Sequence, residues 1–229
     1  MKKIPIKVTT MLGATLLATG ATAQSPAPQA TKPTAEALEE IVIYSRGVVR
    51  QQQSVSAEQI DYLPAGTSPL KAIEKMPGVN FQSADPFGAY EWSTRIVVRG
   101  FNQNQMGFTL DGIPLGDMSY GNHNGLHISR AVPSENVGRV VLSQGSGALG
   151  TASTSNLGGT IEFYSADPGA DMGARVDLTG GSDAMRRGLI RFDTGSLGAA
   201  GPRVSLTVAD ATAEKWKGAG EQDQRMYNL

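Results

Sequence analysis

Hydrophobic and polar residues alternate along three segments near the C-terminal end of the chain. The segments are residues 174–179, 190–193 and 204–209, and turns rich in Gly, Ser and Pro separate them. Successive side chains of a strand point to opposite faces, so the pattern predicts antiparallel strands with one apolar and one polar face. Such strands are typical of a half-exposed sheet in a soluble domain and also of the wall of an outer-membrane β-barrel.

From Val55 to Pro168 the pattern is that of a folded α+β domain. Ser68 can cap a helix that carries Leu70, Ile73 and Met76 at helical spacing and ends at Pro77-Gly78. The dipeptide Asp111-Gly112 follows an apolar run, which predicts a tight hairpin. Ser134 to Val137 can form one helical turn. The remaining apolar runs predict strands: Ile96-Val97-Val98, Phe108-Thr109-Leu110, Arg139-Val140-Val141-Leu142 and Thr160-Ile161-Glu162-Phe163-Tyr164.

The composition excludes several classes of protein. In 229 residues, 20 Lys and Arg stand against 21 Asp and Glu, which is too balanced for a nucleic-acid binder. The absence of Cys excludes disulfides, thiolate metal sites and cysteine nucleophiles. No stretch of about 18 unbroken apolar residues predicts a transmembrane helix.

The N-terminal segment has the pattern of an export signal. Residues 1–23 carry three lysines, then an apolar stretch, then Ala21-Thr22-Ala23, which predicts a signal peptide cleaved after Ala23. Residues 24–38 are rich in Pro and Ala and predict an extended linker. The apolar run Ile41-Val42-Ile43 that follows is either the first strand of the domain or an exposed segment for a partner's sheet edge.

Two motifs suggest other chemistry. Gly145 to Gly150 matches the G-x-G-x-x-G pattern of dinucleotide sites, but no helical apolar stripe follows, so close-packed turns are the preferred interpretation. His123 and His127 are four residues apart and could share a metal on a helix, but Gly121 and Gly125 favour a polar loop. We therefore expect no metal, no cofactor and no catalytic residues, and predict that the protein is not an enzyme.

Taken in order, these pieces resemble the plug domain of the TonB-dependent outer-membrane receptors. The resemblance extends from Glu39 to Pro168 and depends on an ordered series of short motifs. The motifs are Ile41-Val42-Ile43, Pro77-Gly78-Val79, Ile96-Val97-Val98-Arg99-Gly100, Thr109-Leu110-Asp111-Gly112-Ile113-Pro114, Arg139-Val140-Val141-Leu142 and Leu157-Gly158-Gly159-Thr160-Ile161-Glu162-Phe163.

The resemblance implies a fold and a domain order. Residues 39–45 would be the TonB box, residues 46–168 an α+β plug domain, and residues 169–229 the first antiparallel strands of a transmembrane β-barrel. Family barrels have about 22 strands, so we expect this chain to be the N-terminal part of a longer receptor. The implied location is the outer membrane of a Gram-negative cell.

The resemblance also implies a function and partners. The function is energy-coupled uptake of a scarce or large extracellular ligand, such as a metal chelate, a cobalamin-like molecule or a saccharide. The partners would be the periplasmic domain of TonB, outer-membrane lipid and that small ligand, with no nucleic acid. The alternative is a secreted glycine-rich β-structured binding module without transport.

Site residues follow from the same resemblance. The TonB box would present Glu40, Ile41, Val42, Ile43 and Tyr44 to the partner. Ligand binding would involve apical loop residues and the arginine before them: Arg99, Asn102, Gln103, Asn104, Asp117, Tyr120 and His123. Where the family has an arginine that helps to lock the plug to barrel carboxylates, this chain has Gln144, and Arg99 is the candidate for the other half of that lock.

Overall fold

The structure is a computed structural model, and it describes residues 52–118, 125–145, 151–153, 155–198, 201–215 and 217–229. All of these residues belong to one compact unit of the chain. The predicted signal peptide, linker and TonB box, including Glu40 to Tyr44, lie outside the described residues.

The described part contains twelve strands and three short α-helices. The strands are β1 (Gln52–Ser56), β2 (Val79–Gln82), β3 (Arg95–Val98), β4 (Phe101–Asn102), β5 (Gly107–Leu110), β6 (Ile113–Pro114), β7 (Val137–Gln144), β8 (Gly159–Ser165), β9 (Met172–Gly180), β10 (Arg186–Thr194), β11 (Ser205–Glu214) and β12 (Glu221–Asn228). The helices are α1 (Ala57–Asp61), α2 (Pro69–Ala72) and α3 (Ile128–Ala131), and 3-10 turns occur at Gln103–Gln105 and Ser134–Asn136.

A mixed five-stranded sheet forms the centre of the region predicted as the plug. Its strand order is β1-β7-β8-β5-β6, with β5 and β8 parallel and the other neighbours antiparallel. Strands β7 and β8 are buried over most of their length, and the largest fully buried side chains include Phe108 and Phe163. Ile60, Leu70 and Ile128 of the three helices join the same apolar cluster. A small sheet, β2-β3-β4, completes this region.

The helix predicted after Ser68 is shorter than its apolar spacing indicated. Helix α2 ends at Ala72, and the chain continues to Met76 in tight turns whose hydrogen bonds join residues three apart. Ile73 is nevertheless fully buried and Met76 packs against the core. Pro77 disfavours helical backbone at the residue before it, which accounts for a tight-turn ending.

The predicted hairpin at Asp111-Gly112 is confirmed. Both residues have positive φ, 49° and 79°, as a type I′ turn between β5 and β6 requires. The Asp111 carboxylate accepts hydrogen bonds from the Ser165 backbone N–H and hydroxyl at 2.8 and 2.6 Å, and these bonds connect the turn to the end of β8.

The four C-terminal strands form a separate antiparallel sheet, in the order β12-β11-β10-β9, which we call the wall. Its outer face carries an exposed apolar band, in which Leu178 is 83% exposed and Ile190 58% exposed. Its inner face carries buried polar residues, among them Arg191 and Thr207. The predicted alternation is therefore confirmed, except that Val204 is half-buried and precedes β11. Among the described residues, no helix is long and apolar enough to cross a membrane.

Candidate functional site

A buried ion pair joins the plug region to the wall. The 3-10 turn Ser134–Asn136 presents Glu135, and the alternation of β10 turns Arg187 inward toward it. The two guanidinium NH groups of Arg187 donate to the two carboxylate oxygens of Glu135 at 2.6 and 2.8 Å. The side chains are 9% and 4% exposed. Burial raises the pKa of Glu135, but the hydrogen bonds and charge of Arg187 outweigh it and hold that pKa below its usual value.

Asn136, the next residue, contacts three strands of the wall. Its amide nitrogen donates to the Thr207 hydroxyl at 3.0 Å and to Asn228 Oδ1 at 2.7 Å. Its amide oxygen accepts from the Arg191 guanidinium at 3.2 Å. Arg191 also donates to the Asp167 carbonyl at 3.1 Å and pairs with Asp193 at 3.0 Å. These bonds satisfy a group of buried polar atoms that would be costly without partners.

The segment before α2 makes a second, more exposed contact with the wall. Arg175 Nη1 lies 3.2 Å from Asp61 Oδ1, and both side chains are substantially exposed. The Thr179 hydroxyl donates to the Ala65 carbonyl at 3.2 Å. Gly66 has a φ of +89°, and a Cβ at this position would lie 2.8 Å from Cδ of Arg187. The glycine therefore lets the Arg187 stem pass on its way to the ion pair.

A cavity of about 310 Å³ opens beside Arg187, between the plug loop 84–90 and the wall. Phe87, Tyr90 and Met185 give it an apolar lining, and the β9–β10 and β11–β12 connections border it. The loop is held in shape by Asp85, whose carboxylate accepts from the backbone N–H groups of residues 89 and 90. The volume lies at the lower end of the range for small-molecule sites, about 300–1,000 Å³.

Those predicted ligand residues that the structure describes do not line this cavity. Asn102 and Asn104 are exposed, whereas Gln103 and Asp117 are buried at 6% exposure each. Arg99 is exposed at the turn after β3, with a φ of +50°. Tyr120 and His123 lie outside the described residues. The loop 84–90, which lines the cavity, was not among the sequence candidates.

Gln103 is a buried polar residue with an unsatisfied atom. Its Oε1 has no hydrogen-bond partner. The residue begins a 3-10 turn in which Asn102 and Gln105 form a capping box, and the backbone N–H of Asn102 donates to Gln105 Oε1 at 3.0 Å. The turn is thus fixed by local bonds, and Gln103 points into the interior.

His127 is the N-cap of α3 and not a member of a metal site in the described structure. Its Nδ1 accepts from the Ser129 backbone N–H at 3.3 Å, and the residue is 1% exposed. Burial and the charge of Arg130, opposed by Asp85, lower the pKa of His127 to about 4, so the ring is neutral at pH 7. Within the described ranges, no group of three or more His, Cys, Asp or Glu could hold a metal ion.

The glycine motif is not followed by a nucleotide-binding helix in the part of the chain that is described. Gly145 has a φ of +101°, residues 146–150 lie outside the description, and residues 151–153 and 155–158 contain no helix. Gln144, at the position of the family's arginine, donates to the Pro77 carbonyl at 2.8 Å inside the plug region. Its side chain therefore serves an internal contact.

Comparison with known proteins gives the class. A family described as the TonB-dependent receptor plug domain matches residues 45–160, which is just over half of the chain. The chain belongs to this family, and the region that we have called the plug is its plug domain. The strands β9 to β12 resemble the start of a TonB-dependent receptor barrel. A search of curated proteins finds no match.

Solved structures share this fold. The pyoverdine receptor FpvA of Pseudomonas aeruginosa, bound to pyoverdine, matches with a TM-score of 0.59 and 22% identity over 77% of this chain and 24% of its own. The siderophore receptor PirA of Acinetobacter baumannii matches with a TM-score of 0.54 and 17% identity. A mutant of the ferric enterobactin receptor PfeA of P. aeruginosa, in complex with enterobactin, matches with a TM-score of 0.53 and 19% identity. Each of the last two covers 72% of this chain and 25% of its own. The chain thus spans about a quarter of the length of these receptors.

Proposed function

We propose that this chain belongs to an outer-membrane receptor that takes up an extracellular metal chelate of the siderophore class with energy delivered by TonB. The observation that carries the proposal is a plug domain held through buried polar bonds against an antiparallel wall whose opposite face is apolar. A plug that fills the lumen of a barrel blocks free passage of a ligand. Uptake through such a barrel therefore requires that the plug rearranges. Family membership favours this function over a secreted binding module without transport.

The ligand end of the receptor, in this proposal, is the end that contains the cavity. The structures of FpvA and PfeA contain bound pyoverdine and enterobactin, which is why we propose a siderophore rather than a saccharide or a cobalamin-like ligand. Phe87, Tyr90 and Met185 offer apolar contacts, and Lys215 and Lys217 at the rim offer positive charge. The predicted loop residues Arg99, Asn102, Gln103, Asn104, Asp117, Tyr120 and His123 remain proposed contacts of that ligand.

In this proposal, the N-terminal segment of the chain couples the receptor to TonB, which delivers the energy. Residues 1–23 would direct export and be removed, residues 24–38 would form a linker, and residues 39–45 would be the TonB box. In this proposal Ile41, Val42 and Ile43 add as a strand to the periplasmic domain of TonB, so recognition depends on backbone hydrogen bonds. Proline has no amide hydrogen and fixes φ, so a proline here removes a bond of the added strand.

The test uses Val42→Pro and Val42→Ala in the full-length protein. Ferric pyoverdine and ferric enterobactin, labelled with radioiron, serve as probes for cell-surface binding and for energised uptake. We expect binding to survive both changes, and uptake to fall sharply with proline and little with alanine.

Two results would contradict the proposal. Uptake that is unchanged in Val42→Pro would mean that the segment does not couple to TonB. If neither probe binds cells that carry the unaltered protein in their outer membrane, the siderophore class is wrong for these two chemistries.

A further inference from the structure

At the buried contact between plug and wall, the positive charges belong to the wall and the groups that bind them belong to the plug. The plug supplies the Glu135 carboxylate and the Asn136 amide, and the wall supplies the guanidinium groups of Arg187 and Arg191. In the lock implied by the family resemblance, the plug supplies arginine and the barrel supplies carboxylates. Here the corresponding plug position is Gln144, whose amide donates to Pro77 inside the plug.

We propose that the turn Glu135-Asn136 is the fastening point of the plug on this wall, with the charges reversed: an acidic plug residue and the amide beside it are each held by one arginine of the same wall strand. The inference goes beyond the proposed uptake function, because it concerns how the plug is retained and requires neither a ligand nor TonB. It assigns positioning roles to Arg187 and Arg191.

The geometry makes this contact the strongest that the described residues show between plug and wall. Arg187 binds Glu135 through two parallel bonds, the geometry in which guanidinium and carboxylate pair most strongly. Both side chains are nearly excluded from water, whereas Arg175 and Asp61 at the second contact are well exposed. An exposed pair is screened and contributes little, while loss of one partner from a buried pair leaves an uncompensated charge.

The position of the two arginines adds a constraint. Arg187 and Arg191 are four residues apart on β10, so both face inward, with Leu189 between them on the same face at 1% exposure. Adjacent plug residues, Glu135 and Asn136, bind the two ends of this stretch. The two bound arginines therefore span about 13 Å of wall strand, and Leu189 is buried between them.

Leu189 provides a reporter for the release of the plug. The chain has no cysteine, so the Leu189→Cys substitution introduces the only thiol in this part of the protein. This thiol should react with a water-soluble maleimide only when the plug leaves the wall. We would measure the labelling rate in the full-length protein in outer membranes, without ligand. Glu135→Gln and Arg187→Gln should each raise the rate about a hundredfold, as expected when a buried pair loses one partner.

Two further variants make the test specific. Glu135→Gln combined with Arg187→Gln leaves no unpaired charge, so its rate should rise far less than the product of the two single effects. Arg130→Gln is the matched control: it breaks an ion pair of 2.7 Å with Glu91 inside the plug and should leave the rate unchanged.

Several outcomes would overturn the proposal. They are single variants that label no faster than the Arg130→Gln control, or a double variant whose effect equals the product of the singles. If the single variants failed to assemble and the double variant did assemble, the coupling would support the pair. Failure of all three would show that these residues serve folding independently of each other and would refute the fastening role.

Discussion

In the proposed outer-membrane receptor, the rows of paired residues across the wall predict which part of the sheet lies in the hydrocarbon region. On the outer face, Val176 lies opposite Ile190, which lies opposite Val208, so one row across the sheet is apolar. Four residues further along β9, Gly180 lies opposite Arg186 in a polar row that continues to Thr212 and Asp223. We therefore expect the apolar row to lie in the hydrocarbon region and the polar row to lie at its boundary.

The matched substitutions are Val176→Arg and Gly180→Arg. Both positions are on the exposed face of β9, and a Cβ at Gly180 would have only the Met185 carbonyl oxygen, 4.0 Å away, within contact range. At about 3.4 Å per residue and a tilt of about 40°, the two positions differ in depth by about 10 Å. An arginine costs about 2–4 kcal/mol at the bilayer midplane and about 0–1 kcal/mol near the interface. Val176→Arg should therefore destabilise the protein by about 2 kcal/mol more than Gly180→Arg.

The assay is reversible urea unfolding of the full-length protein from lipid vesicles, followed by tryptophan fluorescence. The comparison underestimates the effect of depth. The arginine introduced by Gly180→Arg lies opposite Arg186, and like charges directly opposite each other add a small cost to this control variant. Equal losses of unfolding free energy in the two variants would refute the assignment of the rows to two different depths.

Two further predictions concern the plug. Because the pKa of His127 is about 4 in the fold and about 6.5 unfolded, the unfolded state binds more protons between these values, so stability should fall by about 3 kcal/mol as pH drops through this window. In His127→Asn, which keeps an N-cap oxygen, urea unfolding at pH 7 and pH 4 should show a smaller loss; an equal loss would mean that other groups cause it. Gly159→Ala should destabilise by about 3 kcal/mol or more, since its Cβ would lie 2.3 Å from the Ser143 carbonyl oxygen at a φ of +131°. Gly100→Ala has a φ of +86° but no atom within 4 Å and should cost only about 1 kcal/mol, and equal thermal shifts in the two variants would contradict the clash.

Local patterns in the sequence predicted the elements that depend on neighbouring residues. The Asp111-Gly112 turn follows from the two residues that tolerate positive φ, and the alternation at residues 174–179 and 190–193 follows from the two faces of a strand. The spacing of Leu70, Ile73 and Met76 predicted burial correctly but overestimated the length of the helix. Burial needs only one turn of the right period, whereas helix length depends on the hydrogen bonds of each residue.

The contacts between plug and wall could not be predicted in this way. Glu135 and Arg187 are 52 residues apart, and nothing in the local sequence connects them. The available signal was Arg191, at an inward position of the predicted segment 190–193, since an arginine requires a partner when it is buried. The sequence offered His127 as a possible metal ligand. Its burial as a helix cap depends on the packing of α3, which Gly121 and Gly125 did not indicate.

Strand β10 faces the plug on one side and carries part of the apolar outer band on the other. Ile190 and Phe192 face outward, and Arg187, Leu189 and Arg191 face the plug. Because side chains alternate with a period of two, a slip of one residue would move both arginines to the apolar outer face and turn Ile190 toward the Asn136 amide. Each error is costly by itself, since a charged side chain on the lipid face and a buried polar group without a partner both destabilise. The register that places both arginines against the plug is therefore also the register that keeps them off the apolar outer face.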